Sequence, residues 1–136
     1  HPGGRLGRKV LTVGHLMHSG DAAPRVREGA PLSEALEVMS QGRLGMAAVV
    51  SGTGTLAGVI TDGDLRRALL RGGDPHRMRV DEAMGRAPVT IAREDLAAAA
   101  LSLMEARKIT SLVVVGPDRR VEGVLHLHDL WRTQLF

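Results

Sequence analysis

The stretch Gly58-Val59-Ile60-Thr61-Asp62-Gly63-Asp64-Leu65 recurs in altered form within the same chain. Sixty-five positions on, Gly123-Val124-Leu125-His126-Leu127-His128-Asp129-Leu130 repeats its glycine, valine, second aspartate and last leucine. The same offset pairs Ala35 with Ala100, Leu36 with Leu101 and Met39 with Met104, as well as Val49-Val50 with Val114-Val115 and Arg67 with Arg132. Matches spread over two whole halves indicate a duplicated supersecondary unit. Two copies are too few for a long solenoid, so the halves are expected to pack on each other as a pseudo-symmetric pair.

Within the repeated stretch, β-branched residues run into Thr61, and acidic residues with a glycine open a helical segment: strand, tight turn, helix N-terminus. First-turn N–H groups lack intrahelical partners and favour anions. Thr61 can offer a hydroxyl to a phosphate, and Asp64 a carboxylate to paired ribose hydroxyls. Thr61-x-x-Asp64 is equally close to a capping box, with Asp where Glu or Gln is usual. The second copy has His126 in the place of Thr61, so no such box is expected around Asp129.

In chain order, residues 1–12 are glycine-rich and basic and form a linker. Residues 13–73 form the first motif. Val13 to Met17 makes a short helical turn, and Pro24-Arg25-Val26 a short strand. Pro31 opens a helix whose stripe is Leu32, Ala35, Leu36 and Met39. Met46–Val50 and Leu56–Thr61 are paired strands, and Asp62 to Arg71 is a helix. Gly72-Gly73-Asp74-Pro75 is the break between the halves. Residues 74–136 repeat the plan: an opening turn over Val80 to Met84, a strand at Pro88–Ile91, and a helix from Leu96 to Ala106 with Asp95 as N-cap. That helix carries the stripe Ala97, Ala100, Leu101 and Met104. Strands at Ser111–Val115 and Arg120–Leu125 follow, then a helix over His128 to Leu135. Each unit reads β-α-β-β-α, which makes this an α/β chain.

Composition narrows the function. The 43% apolar content supports a core, but Trp131 and Phe136 are the sole aromatics, so Ala, Val, Leu and Met must fill it. Without cysteine there are no disulfides or thiolate metal sites. The net charge of +3 comes from dispersed arginines, and no aromatic platform exists for single strands, so nucleic acid is not an expected partner. No apolar run approaches a membrane span and no secretory segment opens the chain, so the membrane is not a partner and a cytoplasmic location is expected. His126 and His128 alternate along an extended segment, and His15 and His18 are spaced to share a helical face. Neither pair has a third ligand nearby, so no metal is expected. No P-loop or nucleophile–base order is visible, and no cofactor is called for.

The duplicated unit ending in Gly58-Val59-Ile60-Thr61-x-x-Asp64 resembles a cystathionine-β-synthase (CBS) domain, and the whole chain a tandem CBS pair with two units related by a pseudo-two-fold axis. The resemblance implies a regulatory module that binds adenosine nucleotides in clefts between its halves. It assigns Thr61 and Asp64 to one cleft and Asp129, with His126 departing from the pattern, to the other. More narrowly, His1-Pro2-Gly3-Gly4, Leu16-Met17-His18, Gly45-Met46, Thr61-Asp62-Gly63-Asp64-Leu65-Arg66-Arg67, Lys108-Ile109-Thr110-Ser111 and His126-Leu127-His128-Asp129 resemble the C-terminal regulatory part of the arabinose 5-phosphate isomerase family, which joins a sugar-isomerase domain to a CBS pair. That resemblance adds Gly45, Met46, Thr110 and Ser111 to the ligand-binding candidates. It implies a nucleotide or nucleotide-sugar ligand such as CMP-Kdo, homodimers through the CBS pairs, and tetramers in the full-length enzyme. His1 resembles an active-site histidine at the end of the isomerase domain; with the rest of that domain missing, no catalysis is expected. An AMP- or ATP-sensing pair and a ligand-free oligomerisation module are the alternatives.

Overall fold

The computed structural model describes residues 11–133, so His1, most of the linker and the end of the last helix lie outside the described residues. The elements are α1 (Val13–Leu16), β1 (His18–Ser19), β2 (Arg25–Arg27), α2 (Leu32–Gly42), β3 (Met46–Val50), β4 (Leu56–Thr61), α3 (Asp62–Leu70), α4 (Val80–Ala83), β5 (Thr90–Ile91), α5 (Ala97–Arg107), β6 (Ser111–Val115), β7 (Val121–His126) and α6 (Leu127–Trp131). They form two sheets of order β2-β3-β4 and β1-β7-β6-β5. In each unit a short strand pairs parallel to the first long strand, β2 with β3 and β5 with β6. The two long strands then pair antiparallel, β3 with β4 and β6 with β7. The architecture is a tandem pair of β-α-β-β-α units.

The central strands β3 and β6 are apolar on both faces because both faces are covered. Ala47 and Val49 of β3 face a core with Leu32, Ala35 and Met39 of α2 and Leu65 and Ala68 of α3. Met46 and Ala48 of β3 face the other sheet and meet Val113 and Val124 in a third cluster. Leu112, Val114 and Leu125 complete the second unit's core with Ala97, Ala100, Met104 and Leu130. Small residues such as Ala48, Val113 and Val124 let the two sheets approach without aromatics. The expected helix stripes are buried except for Leu36 and Leu101, which are half-buried.

The two cores do not divide at the Gly72–Pro75 break. Val13 of α1, at the start of the first unit, is fully buried in the second unit's core. Val80 of α4 is fully buried in the first unit's core. The backbone crosses with the helices: β1 pairs with β7, and Gly85 exchanges two backbone hydrogen bonds with Val59 of β4, at 2.8 and 3.0 Å. Glycine makes these crossings fit. A Cβ on Gly58 would lie 2.6 Å from the Gly85 carbonyl oxygen, and one on Gly123 would lie 2.6 Å from that of His18.

Three local expectations are corrected. α5 begins at Ala97 with Leu96 as N-cap, because the Asp95 carboxylate accepts the Ala92 N–H at 3.0 Å instead of capping the helix. Pro31 likewise sits at the N-cap of α2, in extended conformation, and not at its first helical position. His15 and His18 do not share a helical face. α1 ends at Leu16, His15 turns back to accept the Thr12 N–H at 3.2 Å, and His18 stands in β1.

Gly58→Ala and Gly123→Ala should each cost about 1–3 kcal/mol, since the methyl meets fixed backbone as well as a methionine side chain. Urea unfolding should still show a single transition, because each core is completed by the other unit. A loss below about 0.5 kcal/mol in both variants, or two separate transitions, would contradict the exchange.

Candidate functional site

The loops entering β3 and β6 lie side by side at the junction of the two sheets. Each helix before them ends on a cationic residue in left-handed conformation: Arg43 after α2, with φ 59°, and Lys108 after α5, with φ 57°. Each loop then anchors the helix that leaves its own unit. The Asp62 N–H donates to the Gly45 carbonyl at 3.1 Å, and the Leu127 N–H donates to the Thr110 carbonyl at 2.8 Å. The first anchor needs Gly45 at φ 70°.

Between these loops lies a cleft of about 780 Å³. Gly45, Met46, Thr61 and Asp64 line it from the first unit, and Thr110, Ser111 and His126 from the second. Seven of the eight ligand-binding candidates therefore face one space, with Arg43, Lys108 and His128 beside them. Pro88 and Val89 add an apolar wall, and Gly85 leaves room beside it. Asp129 is not among the lining residues. It is buried, and its Oδ1 accepts from His18 Nε2 at 2.8 Å and from the Arg132 guanidinium.

The Thr61–Asp64 box is formed. Asp64 Oδ2 accepts the Thr61 N–H at 2.9 Å and its hydroxyl at 3.0 Å, while the Asp64 N–H donates to Thr61 Oγ1 at 3.3 Å. Asp64 Oδ1 accepts from Arg67 at 2.7 Å. The first turn of α3 is thus held rigidly with Asp64 at the cleft.

A box also forms in the second unit, contrary to the expectation drawn from His126. Asp129 Oδ2 accepts the His126 N–H at 2.7 Å, and His126 Nδ1 accepts the His128 N–H at 3.1 Å. An unprotonated imidazole nitrogen is an acceptor, so it replaces the threonine oxygen. Burial, and then the neighbouring His128, lower the His126 pKa below its ordinary value, which keeps that nitrogen free to accept. The His126 and His128 rings stand 4.6 Å apart, and Trp131 lies 5.2 Å beyond His128. Among the described residues no group of three or more His, Cys, Asp or Glu side chains is placed to hold a metal ion.

Sequence reasoning missed Arg43, Lys108 and the segment from Gly85 to Val89. Arg43 and Lys108 occupy equivalent places in the repeat, and that coincidence was the available signal. The Gly85 segment carries no local signal of its own beyond following the second opening turn. The opening helices align Val13 with Val80 and Met17 with Met84, two positions off the offset that holds elsewhere.

A CBS-domain family model matches residues 13–71 and again residues 80–130. The chain belongs to the CBS family. Arabinose 5-phosphate isomerase KdsD of Pseudomonas aeruginosa is 48% identical over 133 residues, which cover 97% of this CBS pair and 41% of that relative. KdsD of Escherichia coli strain K12 is 41% identical over the same length, covering 97% and 40%. The CBS pair thus spans about two fifths of the length of these curated relatives. Among solved structures, the CBS domain pair of protein MJ0100, in complex with 5′-methylthioadenosine and S-adenosyl-L-methionine, superposes with a TM-score of 0.81 at 21% identity, over 92% of this chain and 96% of that one. CBSX2 in complex with AMP gives 0.78 at 24% identity, over the same shares of the two chains. These likenesses show a shared fold. No helix among the described residues is long and apolar enough to cross a membrane.

Because the fold favours the neutral His126 ring, the folded chain binds a proton there less readily than the unfolded chain. The stability tied to this ring is complete above its ordinary value of 6.5 and is lost as pH falls through the lowered folded-state value. Urea midpoints between about pH 8 and about pH 5 should fall more for wild type than for His126→Thr, which restores the first unit's cap without an ionisable ring. Equal losses in the two proteins would contradict this role.

Proposed function

We propose that this chain is the regulatory, ligand-sensing CBS pair of an arabinose 5-phosphate isomerase in the Kdo and lipopolysaccharide pathway, and that its cleft takes a nucleotide or nucleotide sugar such as CMP-Kdo. The observation that carries the reading is the convergence of Thr61 and Asp64 with Thr110, Ser111 and His126 on one space. Arg43 and Lys108 supply two cations for phosphate, Asp64 the acceptor for ribose hydroxyls, and the Pro88–Val89 wall an apolar face for a base. The likeness to KdsD supports the parent activity, and the nucleosides named with CBSX2 and MJ0100 support the ligand class. The chain contributes sensing and no catalysis, with residues 13–73 and 74–136 as its two motifs and the cytoplasm as its place. Exposed Leu69, Leu70 and Trp131, on the last helices of the two units, support pairing of chains into dimers, and of full-length enzymes into tetramers.

One observation favours a second reading, a ligand-free scaffold: both Asp64 oxygens already hold the cap and Arg67. Titration calorimetry of the chain with AMP, ATP, CMP and CMP-Kdo separates the two, with Asp64→Ala and Asp64→Asn as variants. For the sensor, both variants lose about 1.5–3 kcal/mol of binding, one to two decades in affinity, and Asn keeps the helix cap. For the scaffold, Asp64→Ala costs about 0.5–2 kcal/mol of stability and no ligand binds. Affinity unchanged in both variants would remove Asp64 from the site.

A further inference from the structure

The two carboxylates at the ends of the repeated stretch are equivalent in position and unequal in access. Asp64 and Asp129 each accept the N–H of their helix N-cap and each pair with an arginine three residues on. Yet the Asp64 side chain keeps 18% of its surface exposed and that of Asp129 only 2%. The difference comes from the crossing segments. Gly123 stands against the His18 carbonyl as Gly58 stands against that of Gly85, each carbonyl oxygen 2.6 Å from where a Cβ on the glycine would lie. His18 in the second unit therefore occupies the backbone place that Gly85 occupies in the first.

Gly85 has no side chain and lines the cleft together with Asp64. His18 sends its imidazole onto Asp129, with Nε2 donating to Oδ1 at 2.8 Å. A second cavity, of about 640 Å³, has His18 in its wall but neither Asp129 nor His126. Building on the ligand-sensing reading, we propose that His18 is an internal plug: its ring fills, beside Asp129, the space that a ribose takes beside Asp64, so each chain binds one nucleotide and not two.

Two substitutions exchange the halves. His18→Ala opens the space beside Asp129 while leaving that carboxylate the His126 N–H and Arg132. Gly85→His installs a plug beside Asp64. A Cβ there meets the Val59 carbonyl oxygen at an ordinary 3.8 Å, so the backbone accepts a side chain. Titration calorimetry of the whole chain with AMP, ATP, CMP and CMP-Kdo reads the outcome. Wild type should take up one equivalent of whichever nucleotide binds and His18→Ala two, while Gly85→His should bind at least about tenfold more weakly than wild type.

Two equivalents on wild type would overturn the plug and leave ligand sensing intact. So would one equivalent on His18→Ala with wild-type circular dichroism. If His18→Ala does not fold, Gly85→His decides alone, because it leaves the second unit untouched; wild-type affinity there overturns the plug. Absence of binding by all four ligands on wild type and both variants would overturn the ligand-sensing reading, and the plug with it.

Discussion

The rest of the molecule depends on a backbone crossing at two glycines. At Gly58 and Gly123 the chain of the opposite unit passes so close that a methyl group would sit 2.6 Å from a carbonyl oxygen. The crossing brings Val80 and Met84 into the first core and Val13 into the second. A unit of this size, with a core of small and aliphatic residues and no buried aromatic among the described residues, buries little apolar surface alone. The exchange makes each unit part of its neighbour's core, and the Met46, Ala48, Val113 and Val124 layer joins the sheets between them.

The same crossing decides where chemistry can occur. It brings Gly85 and the Pro88–Val89 wall opposite Thr61 and Asp64, and the pseudo-two-fold arrangement brings Arg43 and Lys108 together. A cleft between two units need not be symmetric in content. Thr61 is answered by His126, Gly45 by Thr110 and Gly85 by His18, and each change alters what that corner can hold. The helix cap survives the first of these because a neutral imidazole accepts a hydrogen bond as a hydroxyl does. Ligand access to Asp129 does not survive the last, because the His18 ring lies against that carboxylate.

Much of this was legible in the repeat. The paired long strands, the helix stripes and the strand-to-helix turn at Thr61 follow from periodicity and from residues shared at one offset. Of the residues around the cleft, Thr61 and Asp64 stood out in the repeated stretch itself, Gly45, Met46, Thr110 and Ser111 came only with the family resemblance, and His126, assigned there to the other cleft, lines the same space as Thr61. The exchange of opening segments was not legible. Val13–Met17 and Val80–Met84 read as equivalent opening turns, which sets His18 opposite Gly85, but nothing local states in which unit's core an opening turn is buried. Asp129 was misjudged for a related reason: its burial comes from His18, more than a hundred residues earlier. Local rules also failed where two local interactions competed, as at Asp95, whose carboxylate turns back to Ala92.

The central claim is that both units build one ligand cleft. Amide chemical shifts of the isotopically labelled chain during titration with AMP or CMP test it most directly. The account predicts that Arg43–Met46 and Thr61–Asp64 shift together with Lys108–Ser111, along one saturation curve. Shifts confined to one unit, or two unrelated curves for the two loops, would contradict it.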